Sequence, residues 1–273
     1  MALVSACKIQ QEPEGAPQGS ASATISIDTP PAPPPKINLA PAGRGEVLAA
    51  VAAAADAAAS GRSLPRGTLQ LANRTFELHL PFGCAGSAVG AWGQVRVDPA
   101  SGVRRVTVSP QRWDRATPIA ALAQGQTFDS IEGFWLDRPW TTAETCPDPL
   151  PAPQATAPAD GAGDKSPPAP PPLVASPQSV AIAQFFAPEA SRTSQRKDRP
   201  YTYTGKLRPD DPGADSPMRL RLTGRITTFA DGQPVRCVVT DPVQRPLCVV
   251  AVEFTGVAFE VGTSGRILAE WNY

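Results

Sequence analysis

One histidine, His79, is all the imidazole in these 273 residues. A Ser–His–Asp triad would have to be built around it, and a multi-histidine metal centre cannot be assembled. Lysine is nearly as scarce: Lys8, Lys36, Lys165, Lys197 and Lys206 stand among 25 basic residues, the rest arginine. Net charge is formally zero, so the whole chain has no bias toward polyanions, and no nucleic-acid partner is expected. There is no Walker-type loop, GxGxxG, GxSxG, HExxH, EF-hand loop or CxxC pair. Their absence removes the motif-bearing nucleotide, hydrolase, zincin and calcium classes, and no cofactor, metal or catalytic residue is singled out. Long apolar runs are also missing. The most helical stretch, residues 45–59, is too short and too rich in alanine to span a bilayer, and Asp56 interrupts it.

Cysteine is present in a telling arrangement: Cys7, Cys84, Cys146, Cys237 and Cys248. With Cys7 set aside, one pair lies on each side of a proline-rich break. Four cysteines allow three connectivities. Cys84–Cys146 with Cys237–Cys248 is expected, because each pair closes within one compositional block. Such bonds belong to an oxidising compartment. In the chain-entropy model the first closes a loop of about 63 residues for about 4 kcal/mol, and the second a ring of about 12 for about 3 kcal/mol. Unpaired, Cys237 and Cys248 would pack as small hydrophobes.

Residues Val4-Ser5-Ala6-Cys7 resemble the lipobox of bacterial lipoproteins: a branched apolar residue, two small residues, then the cysteine that is lipidated. The resemblance implies a membrane anchor on Cys7 and a periplasm-facing place in the cell envelope. A secretory leader needs a basic region and about 7–15 apolar residues before cleavage. Six residues precede Cys7 and none is basic, so this reading carries with it a start further upstream. The competing expectation is a cytoplasmic chain.

Composition divides the rest. Residues 1–44 read as a signal-like start and a disordered Pro-rich tether, with Pro30–Pro35 favouring polyproline II. Residues 45–146 read as an Ala-rich helix followed by a β domain. Ala favours the helix, and Ser60-Gly61 and Pro65 stop it. Phe76, Leu78 and Leu80 alternate with Glu77 and His79, a half-buried strand with His79 on its polar face. Residues 93–97 and 103–109 flank a DPASG turn as a hairpin. Residues 147–177 are nearly all Pro, Ala, Gly, Asp and Ser and read as a linker. Residues 178–273 read as a β-meander: a buried run at 179–186, a basic loop expected to be solvated (Arg192, Arg196, Lys197, Arg199), then strands at 201–207, 218–229, 235–240, 247–254, 257–261 and 266–273. Gly224 reads as a bulge. The expected class is mainly β: two small antiparallel domains, sandwich-like or barrel-like, with one helix near the N-terminus.

Four of the five tryptophans lie between Cys84 and Cys146. In FWLDRPW, Trp135, Asp137, Arg138 and Trp140 combine aromatic faces with both signs of charge, the chemistry of sugar and peptide sites. Against this stands a structural role, with Phe134 and Leu136 facing one layer and Trp135 another. The expectation is a non-catalytic envelope module that binds an envelope protein or wall component. The alternative is a secreted hydrolase whose carboxylates are gathered in space near the tryptophans, from residues such as Glu77, Asp114, Glu132 or Asp137.

Overall fold

The computed structural model describes residues 39–84, 92–147, 179–208 and 217–273. Helix α1 spans Arg44–Ala59. The Glu46 carboxylate lies in its first turn, where it accepts from the Gly43 N–H and pairs with Arg74 at 2.7 Å. Gly61, in the left-handed region, ends it. A 3-10 turn over Arg66–Leu71 then leads into the first strand.

Strand β1 is Thr75–Phe82, β2 Gly93–Asp98, β3 Val103–Val108 and β4 Gln111–Trp113. A short helix, α2, follows at Pro118–Ala121, capped by Thr117. Then come β5 (Ser130–Trp135), β6 (Val180–Phe186), β7 (Tyr201–Lys206), β8 (Met218–Ile226), β9 (Val235–Val238), β10 (Leu247–Val261) and β11 (Ile267–Asn272). The class is mainly β, as expected. Eight strands form one open sheet in the order β1-β8-β10-β6-β5-β4, with β9 and β11 also paired to β10; β2-β3-β7 form a second sheet.

The strands do not sort into the two expected domains. β1 pairs with β8, β3 with β7 and β5 with β6, each across the proline-rich stretch. Leu39–Tyr273 is one compact unit. The stretch at 147–177 separates compositions, not folded bodies; all of it beyond Pro147 lies outside the described residues. Nor is the second block a simple meander, because β10 runs parallel to β6.

β10 joins two segments expected to be separate strands. Its ladder with β8 continues through a register shift between Phe254 and Gly256. The bulge therefore lies on β10, not at Gly224. Gly224 serves a different need: a β-carbon there would meet the Glu253 carbonyl oxygen at 2.1 Å and the Phe76 ring at 2.8 Å. Only glycine lets the strand pass so close.

Two hydrophobic clusters follow from the alternation. The first gathers Phe76, Leu78 and Leu80 of β1, Val106 and Val108 of β3, Leu220 and Leu222 of β8, Phe259 of β10 and the buried side of α1. The second takes the opposite side of β6 and β10, with Ala181, Ala183, Val249 and Ala251 meeting Trp113, Ile119, Leu122 and Phe229. β6 is buried on both faces, which is why its sequence is a continuous apolar run. Both expected disulfides are present: Cys84–Cys146 with Cα atoms 5.5 Å apart, and Cys237–Cys248 directly opposed across β9 and β10.

Candidate functional site

The FWLDRPW segment begins on β5 and leaves it as a loop. Phe134 enters the first cluster. Trp135 packs against the second, edge-on to Trp113 at 5.5 Å. Leu136 is buried, and its N–H donates to the Val180 carbonyl at 2.8 Å. The Asp137 carboxylate accepts from the Trp92 indole N–H at 3.0 Å. Arg138 adopts a left-handed backbone and donates to the Thr145 carbonyl. Trp140 is 64% exposed. Trp135, Asp137 and Arg138 thus take separate partners.

What holds this loop is Arg44, which sequence reasoning did not single out. Its side chain, with the whole residue only 3% exposed, donates to the carbonyls of Asp137 (2.5 Å), Arg138 (3.1 Å) and Thr141 (3.0 Å). Burial lowers the guanidinium pKa, opposed by the nearby Glu144 carboxylate. One signal was legible. Arg44 opens a helix at its N-terminal end, where a cation is disfavoured, so something else must hold it there.

His79 sits on the face of β1 turned away from the core, but it is not solvent-facing as expected. Nδ1 lies 3.1 Å from the Glu144 carboxylate, and Nε2 lies 3.4 Å from Glu260 and 3.8 Å from Glu77. Glu260, 4% exposed, also meets Arg219 at 3.2 Å and Arg221 at 3.5 Å. The hydrogen bond to Glu144 raises the His79 pKa, against the opposing effect of burial. At Glu144 burial works upward, but the hydrogen bond and charge of His79 outweigh it and the carboxyl is lowered. Carboxylates at both ring nitrogens favour the protonated imidazole, and in that form it bridges them as a clasp. Glu144 lies two residues before Cys146, so the clasp fastens the disulfide-closed segment to β1.

The carboxylates considered for hydrolysis are engaged one by one. Glu132, 4% exposed, accepts from the backbone N–H groups of Arg196 (2.6 Å) and Lys197 (2.9 Å). The backbone of the basic loop is therefore tied to β5, while Arg192, Lys197 and Arg199 stay exposed as expected, and Arg196 stacks over Tyr201. Asp114 accepts from the Ala116 N–H at 2.9 Å. Asp114 lines a cleft of about 400 Å³ beside Trp113, with Asp129 paired to Arg192 and Asp198 paired to Arg112. Among the described residues no cluster of three or more side chains is placed to hold a metal.

Two further concave surfaces stand out. A groove of about 480 Å³ runs between the C-terminal end of α1, α2 and β9, with Cys237 in its wall. A shallower hollow of about 250 Å³ lies on β2 and β3, lined by Trp92, Gln94, Arg96, Arg105, Thr107 and Ser109. Comparison with family models, with curated proteins and with solved structures finds no match to this chain.

Proposed function

We propose that this chain is a non-catalytic module of a bacterial cell envelope, anchored to the membrane through a lipid on Cys7 and acting by binding an envelope protein or a wall component. The observation that carries the reading is the pair of disulfides, each joining cysteines that the fold brings face to face. Bonds of this kind persist where the surroundings are oxidising. Cys7 lies outside the described residues, and its role rests on the lipobox resemblance. Mass spectrometry of the native N-terminus tests the anchor. A diacylglyceryl thioether on Cys7 is expected; an intact, unmodified Met1 overturns the anchor and favours a cytoplasmic chain. Peptide mapping with and without reductant tests the compartment. Free thiols at Cys84, Cys146, Cys237 and Cys248 in protein from its native host would remove the case for export.

A secreted hydrolase remains the second reading, and the cleft beside Trp113 is the observation that favours it. Asp114, Asp129 and Asp198 line that cleft. Each already has a partner, which favours the binding module. Turnover of any glycoside, abolished by Asp114→Asn with the fold intact, would reverse that preference.

A further inference from the structure

The second sheet turns one face to the core and one outward. Residues opposed in an antiparallel register share a face. The register therefore sets Val95, Val106 and Tyr203 on the core side and Gln94, Arg96, Asp98, Arg105, Thr107, Thr202, Thr204 and Lys206 on the other. Arg96 and Arg105 stand directly opposite one another, and both are exposed. Like charges opposed across two strands cost stability. Nothing in the sheet offsets that cost. Among the described residues Arg96 reaches only the Gln94 amide oxygen, at 3.3 Å, and no described carboxylate lies within ion-pair distance of either guanidinium. Asp98, the one acid on this face, is used by its own turn, accepting from the Ala100 N–H and the Ser101 hydroxyl. Three cations thus face one spoken-for carboxylate, and the hollow of about 250 Å³ lies at the arginine pair.

We infer that the outer face of β2-β3-β7 binds a linear acidic polysaccharide, with Arg96 and Arg105 sharing a sugar carboxylate. A guanidinium fork matches a carboxylate in a bidentate fashion. The surrounding groups suit a sugar chain: the Gln94 amide and the Thr107, Ser109, Thr202 and Thr204 hydroxyls donate and accept, as sugar hydroxyls do. The hollow is smaller than the roughly 300–1,000 Å³ of a drug-sized ligand pocket, so it seats one anionic residue of a longer chain. Single-stranded nucleic acid would need exposed aromatic platforms. Trp92, the indole beside the hollow, instead packs on Phe82 and Phe134 and spends its N–H on Asp137. A bilayer surface would call for large apolar side chains among the cations, and the register sets none on this face beyond Val103.

This rests on the binding-module reading and names its ligand. The test uses the full chain and polygalacturonate as the probe, with dextran, oligothymidylate and phosphatidylglycerol vesicles beside it, followed by calorimetry at low and high salt. Polygalacturonate should bind in a salt-dependent way and dextran should not. Arg96→Gln with Arg105→Gln should weaken binding by about tenfold or more. Arg225→Gln, an exposed arginine on the other sheet, should leave binding unchanged. The double variant should melt no lower than the parent, since it relieves repulsion. No binding of polygalacturonate, equal loss in Arg225→Gln, or equally tight binding of oligothymidylate or vesicles overturns the proposal. A lipidated chain that ignores polygalacturonate loses the glycan site and keeps the envelope module. A chain unmodified at Cys7 that binds polygalacturonate does the reverse.

Discussion

His79 lies between carboxylates on both sides, and the direction of each titration fixes when the clasp holds. The His79 pKa is raised from 6.5, so its contribution is full below that value and is lost as pH climbs through the raised one. The Glu144 pKa is lowered from 4.5, so its contribution is full above that value and is lost as pH falls through the depressed one. The clasp is complete from about pH 4.5 to 6.5, and on the alkaline side it is lost as pH climbs through the raised His79 value. Thermal unfolding against pH should show that alkaline decline in the wild type and a flatter profile in Glu144→Gln. Parallel profiles would mean that His79 does not fasten the segment. Glu132 tests a second buried charge. Replacing it with Gln weakens two hydrogen bonds to backbone N–H groups of the 196–197 loop, and should cost about 1.5–3 kcal/mol in denaturant unfolding. Neither partner set was legible in the sequence. Glu77 and His79 were readable as polar-face residues by alternation, but Glu144 and Glu260 reach His79 from 65 and 181 positions away in the chain.

Strands and helices were largely legible because their signals are local. The Ala-rich run stops at Ser60-Gly61, the alternation of β1 is short-range, and the continuous run of β6 betrays a strand buried on both faces. Local signals run out where a neighbour decides. A glycine inside an alternating strand signals a bulge or a close approach, and only the partner distinguishes the two. At Gly224 it is the approach of β10 and the Phe76 ring. Gly224→Ala should therefore cost about 1–3 kcal/mol through overpacking. Gly67→Ala is the contrast: its β-carbon would meet nothing within 4 Å, and it should be neutral or stabilise by up to about 1 kcal/mol. Urea unfolding of the two variants measures both signs. If both destabilise equally, crowding at Gly224 is not the cause.

Pairing between distant strands is a property of the whole molecule, and composition does not encode it. The proline-rich stretch looked like a boundary because a packed core leaves no trace in the residues around it. Yet β1, β3 and β5 on one side are hydrogen-bonded to β8, β7 and β6 on the other. Neither disulfide crosses the stretch. A protease site engineered within residues 148–178 should therefore yield two fragments that co-elute in native buffer, oxidised or reduced, and separate only in denaturant. Fragments that part in native buffer would restore two domains. The candidate site was hidden in the same way. Arg96 and Arg105 lie on either side of a readable hairpin, but their distance from every described acid emerges only when the third strand, β7, is laid beside them.

β10 is hydrogen-bonded to β6, β8, β9 and β11. A ribosome makes β1 through β9 before it makes this strand. Until residue 261 has been added, among the described strands β8 lacks one of its two neighbours, β6 lacks one of its two, and β9 lacks the only one it has. The nascent chain thus carries open strand edges and uncovered apolar faces for nearly its whole synthesis, the condition in which a chaperone can hold it. Assembly waits on the pairing of segments far apart in sequence, which slows folding relative to chains built from local contacts. For this chain, the eight-stranded sheet can be completed only after β10 has been made.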